Sequence, residues 1–165
     1  MTSRLLVDKI EGKASSGTVQ MPAGHIVQVQ RTYTANASAI ASSSSSLAAS
    51  GIQCSITPKF SNSLIIVDFN STMSDCGSAG MDGLMYLKIG SASIASMPSA
   101  STYHIGYQTS GHNRYAPFCF GGSYTATSTS TLMFEPYFKS HSNGTNVNFI
   151  HPNSSFSLTA TEIAQ

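Results

Sequence analysis

Apolar residues recur at every second position in several short segments of this 165-residue sequence. No segment longer than about ten residues shows helical spacing. A period of two is that of a β-strand, whose successive side chains point to opposite faces. The clearest segment, residues 64–69, places Ile65, Val67 and Phe69 on one face. Such segments, separated by Gly, Pro, Asn and Ser, predict an all-β fold: a β-sandwich or jelly roll of about eight antiparallel strands.

The other predicted strands end at turn signals or at proline. One face of the first strand carries Val27, Val29, Arg31 and Tyr33. The Asn143-Gly144 pair suits a type I′ turn and predicts a hairpin between two consecutive strands. Loops are expected at 39–50, which contains a serine run, and at 74–83 and 99–113. The remaining strands are expected at 25–33, 52–57, 83–90, near 94–97, 114–120, 131–139, 145–150 and 156–160.

Residues 1–24 differ from the rest of the chain. They contain a short apolar patch followed by small residues and Pro22. This segment is too short for a domain and more apolar than a simple linker. We therefore expect an N-terminal attachment arm at 1–24 and a β-sandwich domain at 25–165, with a frayed terminus as the alternative interpretation of the arm.

Charged residues are scarce in this chain. They form 9% of the sequence, with a net charge of +1, against about 25% in an average soluble domain. The basic residues are scattered, so the sequence lacks the clustered positive field that nucleic acid or an acidic membrane requires. Serine accounts for 30 residues, yet 41% of the chain is hydrophobic, which argues against disorder. So neutral a surface indicates coverage by neighbouring subunits.

The three cysteines, Cys54, Cys76 and Cys119, form no CxxC pair and fit no zinc pattern. We expect them to be reduced, buried thiols of a protein made in a cytosol. No segment reaches the roughly 18 apolar residues of a membrane helix. The N-terminal residues lack the long apolar run of a signal peptide.

The search for catalytic chemistry is largely negative. The sequence contains no G-x-S-x-G, phosphate-binding loop, G-x-G-x-x-G or HExxH motif. Asp75 and Asp82 share one predicted loop and could contact a cation, although a calcium loop normally has more oxygen ligands. We expect no enzyme activity, no cofactor and no metal. The seven acids are scattered: Asp8, Glu11, Asp68, Asp75, Asp82, Glu135 and Glu162.

The segment between residues 103 and 115 combines aromatic, amide and guanidinium side chains. Such groups bind sugars by stacking and hydrogen bonding. The alternative is a surface loop packed on a neighbouring subunit. The candidate contact residues for either role are Tyr103, Tyr107, His112 and Arg114. In a trimer, one histidine near the axis would occur three times and could hold a metal or an anion; exposed loop histidines are the default.

Four segments, taken in order, resemble structural proteins of marine and cyanobacterial tailed phages. The opening LLVDKIEGKASSGTVQMPAGHIVQVQ is similar to the N-terminal segment of their fibres. SITPKFSNSLIIVDFN resembles a hairpin of that group. STSTLMFEPYFKSHSNGTNVNFIH resembles its long paired strands around a glycine turn, and SSFSLTATEIAQ its terminal strand.

This resemblance implies a homotrimer of β-sandwich or jelly-roll heads on the virion surface. The arm would attach each subunit to other virion proteins of the capsid or tail, through Leu5, Leu6, Val7 and Ile10. The chain has none of the long shaft common in that group, which favours a short fibre or capsid decoration protein over a long tail fibre. The alternative function is a carbohydrate-binding module of a tail fibre that recognises a host surface glycan.

Overall fold

The computed structural model describes residues 23–76, 83–90, 92–93, 116–140 and 147–165. These residues form strands, turns and loops and contain no helix, so the predicted all-β class is confirmed. The described part of the chain has eleven strands: β1 (Ile26–Thr34), β2 (Ile40–Ser42), β3 (Ala48–Ala49), β4 (Cys54–Ile56), β5 (Leu64–Cys76), β6 (Gly83–Ile89), β7 (Ala92–Ser93), β8 (Ala116–Thr125), β9 (Leu132–Ser140), β10 (Val147–Ile150) and β11 (Phe156–Ile163).

The strands form two antiparallel sheets. The large sheet has the order β1-β11-β5-β10-β2, with β8 paired to the opposite side of β5. The small sheet has the order β3-β9-β6-β7, with β4 also paired to β9. Strand β5 organises the large sheet, because β11 and β8 flank it along most of its length.

A stack of phenylalanine rings joins the two sheets. The ring of Phe149 on β10 lies 4.9 Å from that of Phe69 on β5 and 5.1 Å from that of Phe138 on β9, measured between centroids. All three side chains are buried, and residues from both sheets share one hydrophobic core. The molecule is therefore a β-sandwich, in which the inward faces of two sheets form a common interior.

Alternation of apolar residues placed the core correctly in the central strands. Ile65, Val67 and Phe69 of β5 are fully buried, as the sequence predicts. Leu158 and Ala160 of β11 lie beside them in register and are buried as well. A shift of one residue would expose every one of these side chains, so burial of one face fixes the register.

The predicted hairpin between the strands at 131–139 and 145–150 is wrong. Strand β10 pairs with β5 and β2 in the large sheet, whereas β9 belongs to the small sheet. The chain between them, which includes Asn143-Gly144, lies outside the described residues. A turn signal is local, and here core packing overrides it, since Phe138 and Phe149 meet face to face from opposite sheets.

Two of the predicted loops contain strand residues. Strands β2 and β3 lie within 39–50, and β5 continues through the first residues of 74–83. The serine run stays largely exposed, with turns closed by hydrogen bonds such as that from the Ser44 N–H to the Ser42 hydroxyl. Strand β8 also extends five residues beyond the predicted end at Phe120. The expected turn at 152–153 is present, and Asn153 adopts a φ of 63°.

Two glutamates lie in the interior and accept hydrogen bonds from the backbone. Glu162 of β11 is completely buried, and its carboxylate receives bonds from the N–H groups of Lys59 and Phe60. Glu135 of β9 is 4% exposed, and its Oε1 accepts a 2.8 Å bond from the Gly51 N–H where the chain passes from β3 to β4. These two acids hold turns against the sheets.

The expectation of buried thiols is correct for Cys54, which is 2% exposed, and wrong for Cys119. Cys119 lies on β8 opposite Asn70 and faces solvent, because inward positions of that strand belong to Phe118 and Phe120. Both cysteines are free thiols.

Candidate functional site

The outward side of the large sheet is a surface of small polar residues. The paired strands β1, β11, β5 and β8 present their outward side chains in rows, because directly opposite residues of antiparallel strands point to the same face. We call this surface the outer face. Its three central rows are Tyr33–Ser157–Asn70–Cys119, Arg31–Thr159–Asp68–Gly121 and Val29–Thr161–Ile66–Ser123.

Strand β1 turns its polar side chains towards the interior and its apolar side chains towards solvent, the reverse of most sandwich strands. Its polar side faces inward: the Gln28 amide donates to Glu162 and to the Thr57 carbonyl, and the Thr32 hydroxyl donates to the Gln53 carbonyl. Its apolar side faces solvent, with Val29 52% and Tyr33 57% exposed. The inward hydrogen bonds fix the strand in this orientation and leave its apolar side chains outside.

Strand β1 is also an edge of the large sheet. Among the described residues it pairs only with β11. The strand is nine residues long, carries one charge (Arg31) and exposes Ile26 to 61%. Proteins usually protect such an edge with charges, bulges or proline, because unpaired backbone groups and apolar side chains attract another strand. Strand β1 has one such irregularity, a register shift between Ile26 and Gln28 that leaves Ile26 exposed and Val27 half-buried, and from Gln28 to Thr34 its pairing with β11 is regular.

A shallow groove of about 300 Å³ crosses one end of the outer face. Arg31 and Tyr33 line it on the β1 side, and Pro117 lines it on the β8 side. The residues of the described ranges that line it include no carboxylate. Between these ends the groove is lined by side chains and backbone of the central strands and the turn before β11, among them Asn70, Thr72, Ser155 and Phe156.

Arg31 is the source of positive charge at this groove. Its guanidinium carbon lies 5.0 Å from the centroid of the Tyr33 ring, within the range of a cation–π contact. Among described residues the next acid on the face is Asp68, which the register separates from Arg31 by Thr159. Two interstrand spacings amount to about 10 Å, a distance at which solvent and salt screen most of the attraction. The guanidinium is thus available to an external anion.

Gly121 of β8 lies directly opposite Asp68 of β5, and the two strands approach each other closely at this point. A Cβ atom at position 121 would lie 2.7 Å from the Val67 carbonyl oxygen and 2.7 Å from the Asp68 Oδ1. The carbonyl belongs to the backbone of a central strand and cannot move without disturbing the ladder. This glycine therefore sets the spacing of the two strands below the outer face.

We expect Gly121→Ala to lower the free energy of unfolding by about 1–3 kcal/mol, as overpacking does in other cores. Urea unfolding followed by circular dichroism measures the loss. Thr125→Ala, an exposed outward substitution on the same strand, is the control and should change stability by about 0.5 kcal/mol or less. Equal stability of Gly121→Ala and the wild type would contradict this account of the strand spacing.

The residues that the sequence nominated for binding fall outside the described part of the chain. This holds for the arm residues Leu5, Leu6, Val7 and Ile10, and for Tyr103, Tyr107, His112 and Arg114. Asp82 also lies outside it, and the side chain of Asp75 is not described. Of the histidines, His25 and His151 are described, and the Nδ1 of His151 lies 2.9 Å from the Pro152 carbonyl oxygen.

Sequence reasoning did not nominate Arg31, Tyr33 and Asn70. Arg31 and Tyr33 could have been found from the sequence, since an Arg-x-Tyr pair on a strand places a cation and an aromatic ring on one face. Asn70 could not be found this way, because only the register of β11 between β1 and β5 brings it into the row of Tyr33.

No group of three or more His, Cys, Asp or Glu side chains suited to a metal ion occurs among the described residues. The same part of the chain contains no helix able to cross a membrane. No family model matches the sequence, and no curated protein is significantly similar to it.

Proposed function

We propose that this protein is a non-enzymatic structural component of a tailed-phage virion, a compact homotrimer on the outside of the particle. It would serve as a short fibre or a capsid decoration protein. The observation that carries the proposal is strand β1: a long edge whose exposed side chains Ile26 and Val29 are apolar. An edge of this kind favours association with another chain.

The scarcity of charge supports the same conclusion. With 9% charged residues, the surface has little of the like-charge repulsion that keeps isolated domains apart. In this proposal the arm residues Leu5, Leu6, Val7 and Ile10 attach the trimer to other virion proteins of the capsid or tail.

The assembly is tested by native mass spectrometry and light scattering, which should give three times the 17.3 kDa chain mass. Val29→Lys places a charge on the exposed edge and is expected to shift the population towards monomer. Leu47→Lys, at an apolar residue that is 36% exposed and lies between β2 and β3, is the matched control and should leave the trimer intact. A wild-type monomer at micromolar concentration would overturn the trimer.

Attachment is tested separately by deleting residues 2–20. The shortened protein should remain folded and fail to bind particles that lack it, whereas the full chain binds and is seen by cryo-electron microscopy on the virion surface. A shortened protein that binds particles as well as the full chain would contradict the role of the arm.

The alternative function, a carbohydrate-binding recognition module, was placed by the sequence on Tyr103, Tyr107, His112 and Arg114. These residues lie outside the described part of the chain, so that placement stays a prediction. A glycan array with wild type and Tyr107→Ala tests it, since a hit unaffected by the substitution would exclude this residue as a contact.

A further inference from the structure

The groove on the outer face combines a cation, an aromatic ring and several neutral hydrogen-bonding groups. Arg31 makes a described contact with the ring of Tyr33 and no ion pair with a described carboxylate. Asn70 and Thr72 lie on the outward side of β5, and the Thr72 hydroxyl accepts a 2.9 Å bond from the Ser155 N–H. Every part of the site except the turn at Ser155 lies on paired strands, so the backbone of the site is fixed before a ligand arrives.

The chemistry of these groups selects the class of ligand. A guanidinium presents a planar fork of N–H donors that matches a carboxylate. A primary amide both donates and accepts, and hydroxyls do the same, which suits the hydroxyl groups of a sugar. The aromatic ring of Tyr33 and the exposed ring of Pro117 suit the C–H faces of a pyranose ring.

The charge of the site excludes the main alternatives. Nucleic acid needs several cations along its path, and the described residues that line the groove include one. A cation is disfavoured, because Arg31 would repel it and the described lining residues include no carboxylate. A neutral sugar would leave the guanidinium without a charged partner.

We propose that this groove binds an acidic saccharide, with the sugar carboxylate on Arg31 and the sugar hydroxyls on the Asn70 amide. The ring of Tyr33 orients the guanidinium and contacts the apolar face of the sugar. None of the residues that line this groove belongs to the segment between 103 and 115, and the proposal does not depend on the virion role.

The test measures binding of a glucuronate-containing trisaccharide to the wild-type protein by isothermal titration and by NMR shift perturbation. The carboxyl-reduced trisaccharide is the matched neutral ligand, and acetate is the matched simple anion. Binding of the acidic sugar should be at least about tenfold tighter than that of either control, and it should weaken as salt is raised. Equal binding of the reduced sugar, equal binding of acetate, or no binding of the acidic sugar would overturn the proposal.

Variants locate the site. Arg31→Gln is expected to lower the affinity for the acidic trisaccharide by about tenfold to a hundredfold, as loss of a charge-assisted hydrogen bond does. Arg31→Lys keeps the charge without the planar fork and should give an intermediate loss. Lys59→Gln makes the same charge change on an exposed residue outside the groove and should leave the affinity unchanged. An Arg31→Gln protein that remains folded by circular dichroism and binds normally would exclude the groove as the site.

Discussion

Replacing Glu162 by glutamine is expected to lower the free energy of unfolding by about 2–3 kcal/mol at neutral pH. The carboxylate is fully buried, and its two oxygens accept bonds from four groups. Ser63 donates its hydroxyl at 2.7 Å, Gln28 its amide at 2.6 Å, and Lys59 and Phe60 their backbone N–H groups. Hydrogen bonds to a charged group contribute about 1.5–3 kcal/mol, and a buried donor left unpaired costs a similar amount.

Glutamine fills the same volume but carries an NH2 group in place of one oxygen. If the remaining oxygen keeps the bonds from Ser63 and Phe60, the new NH2 group faces the Gln28 amide, and two donors oppose each other. Gln28 can turn its amide over only by giving up its 2.7 Å bond to the Thr57 carbonyl. Either arrangement loosens the contact between strand β1 and the 58–63 turn.

The effect of Glu162→Gln also depends on pH. Burial raises the pKa of Glu162, but the bonds from Gln28, Ser63 and the N–H groups of Phe60 and Lys59 outweigh burial and lower the pKa below its ordinary value. The carboxylate therefore stabilises the fold fully above the pKa of an unfolded glutamate, about 4.3. This contribution is lost as the pH falls through the lower pKa of the folded protein.

Urea unfolding from pH 7 to pH 3 measures this dependence. The difference in stability between wild type and Glu162→Gln should be largest above about pH 5 and shrink below about pH 4. Asp68→Asn removes an exposed acid from the neighbouring strand and should change stability by about 0.5 kcal/mol or less. A difference that stays constant over this pH range would show that ionisation of Glu162 does not contribute.

The buried Glu162 illustrates what the sequence alone could not provide. Alternation correctly places Leu158 and Ala160 inward, and the same alternation carries Glu162 into the interior. Hydropathy gives no reason to bury an acid, because the groups that satisfy it come from residues 28 and 59–63, which approach only in the folded chain. The sequence was therefore enough to predict which side chains are buried in strands with one apolar face. It was not enough where a buried polar side chain is satisfied by hydrogen bonds from distant residues.

Strand β1 shows a second limit. Its period of two predicts a strand at residues 25–33, and the structure has one at Ile26–Thr34. The period does not reveal which face is inward, and an apolar count favours the face with Val29 and Tyr33. The structure turns that face outward, because Gln28 bonds to the buried Glu162 and Thr32 bonds to the Gln53 carbonyl. The same reversal brings Arg31 and Tyr33 to the candidate groove.

Pairing partners were harder to predict than strands. The Asn143-Gly144 signal led to a hairpin between strands that in fact belong to different sheets. Turn chemistry acts over four residues, whereas the place of β10 depends on the aromatic rings of β5 and β9, far away in sequence. The groove depends on such long-range pairing too. Asn70 lies in the same row as Tyr33 only because Ser157 of β11 pairs with both.

Replacing Phe69 by alanine is expected to give the largest loss of stability among the substitutions considered, about 3–5 kcal/mol. Phe69 is fully buried and stands at the centre of the aromatic core. Its ring centroid lies 4.9 Å from that of Phe149, 5.3 Å from that of Phe120 and 6.4 Å from that of Phe156. Alanine removes these contacts and leaves a cavity enclosed by strands that the ladder holds in place.

Because the loss scales with the cavity that remains, Phe69→Leu should cost clearly less than Phe69→Ala. Phe118→Ala, on a partly buried ring at the margin of the same core, should also cost less, since nearby side chains and solvent can fill the space. All variants are compared by urea unfolding at one protein concentration, because self-association makes apparent stability depend on concentration. If Phe69→Ala costs no more than Phe118→Ala, the stack from Phe69 through Phe149 to Phe138 does not hold the two sheets together, and other contacts across the interior must do so.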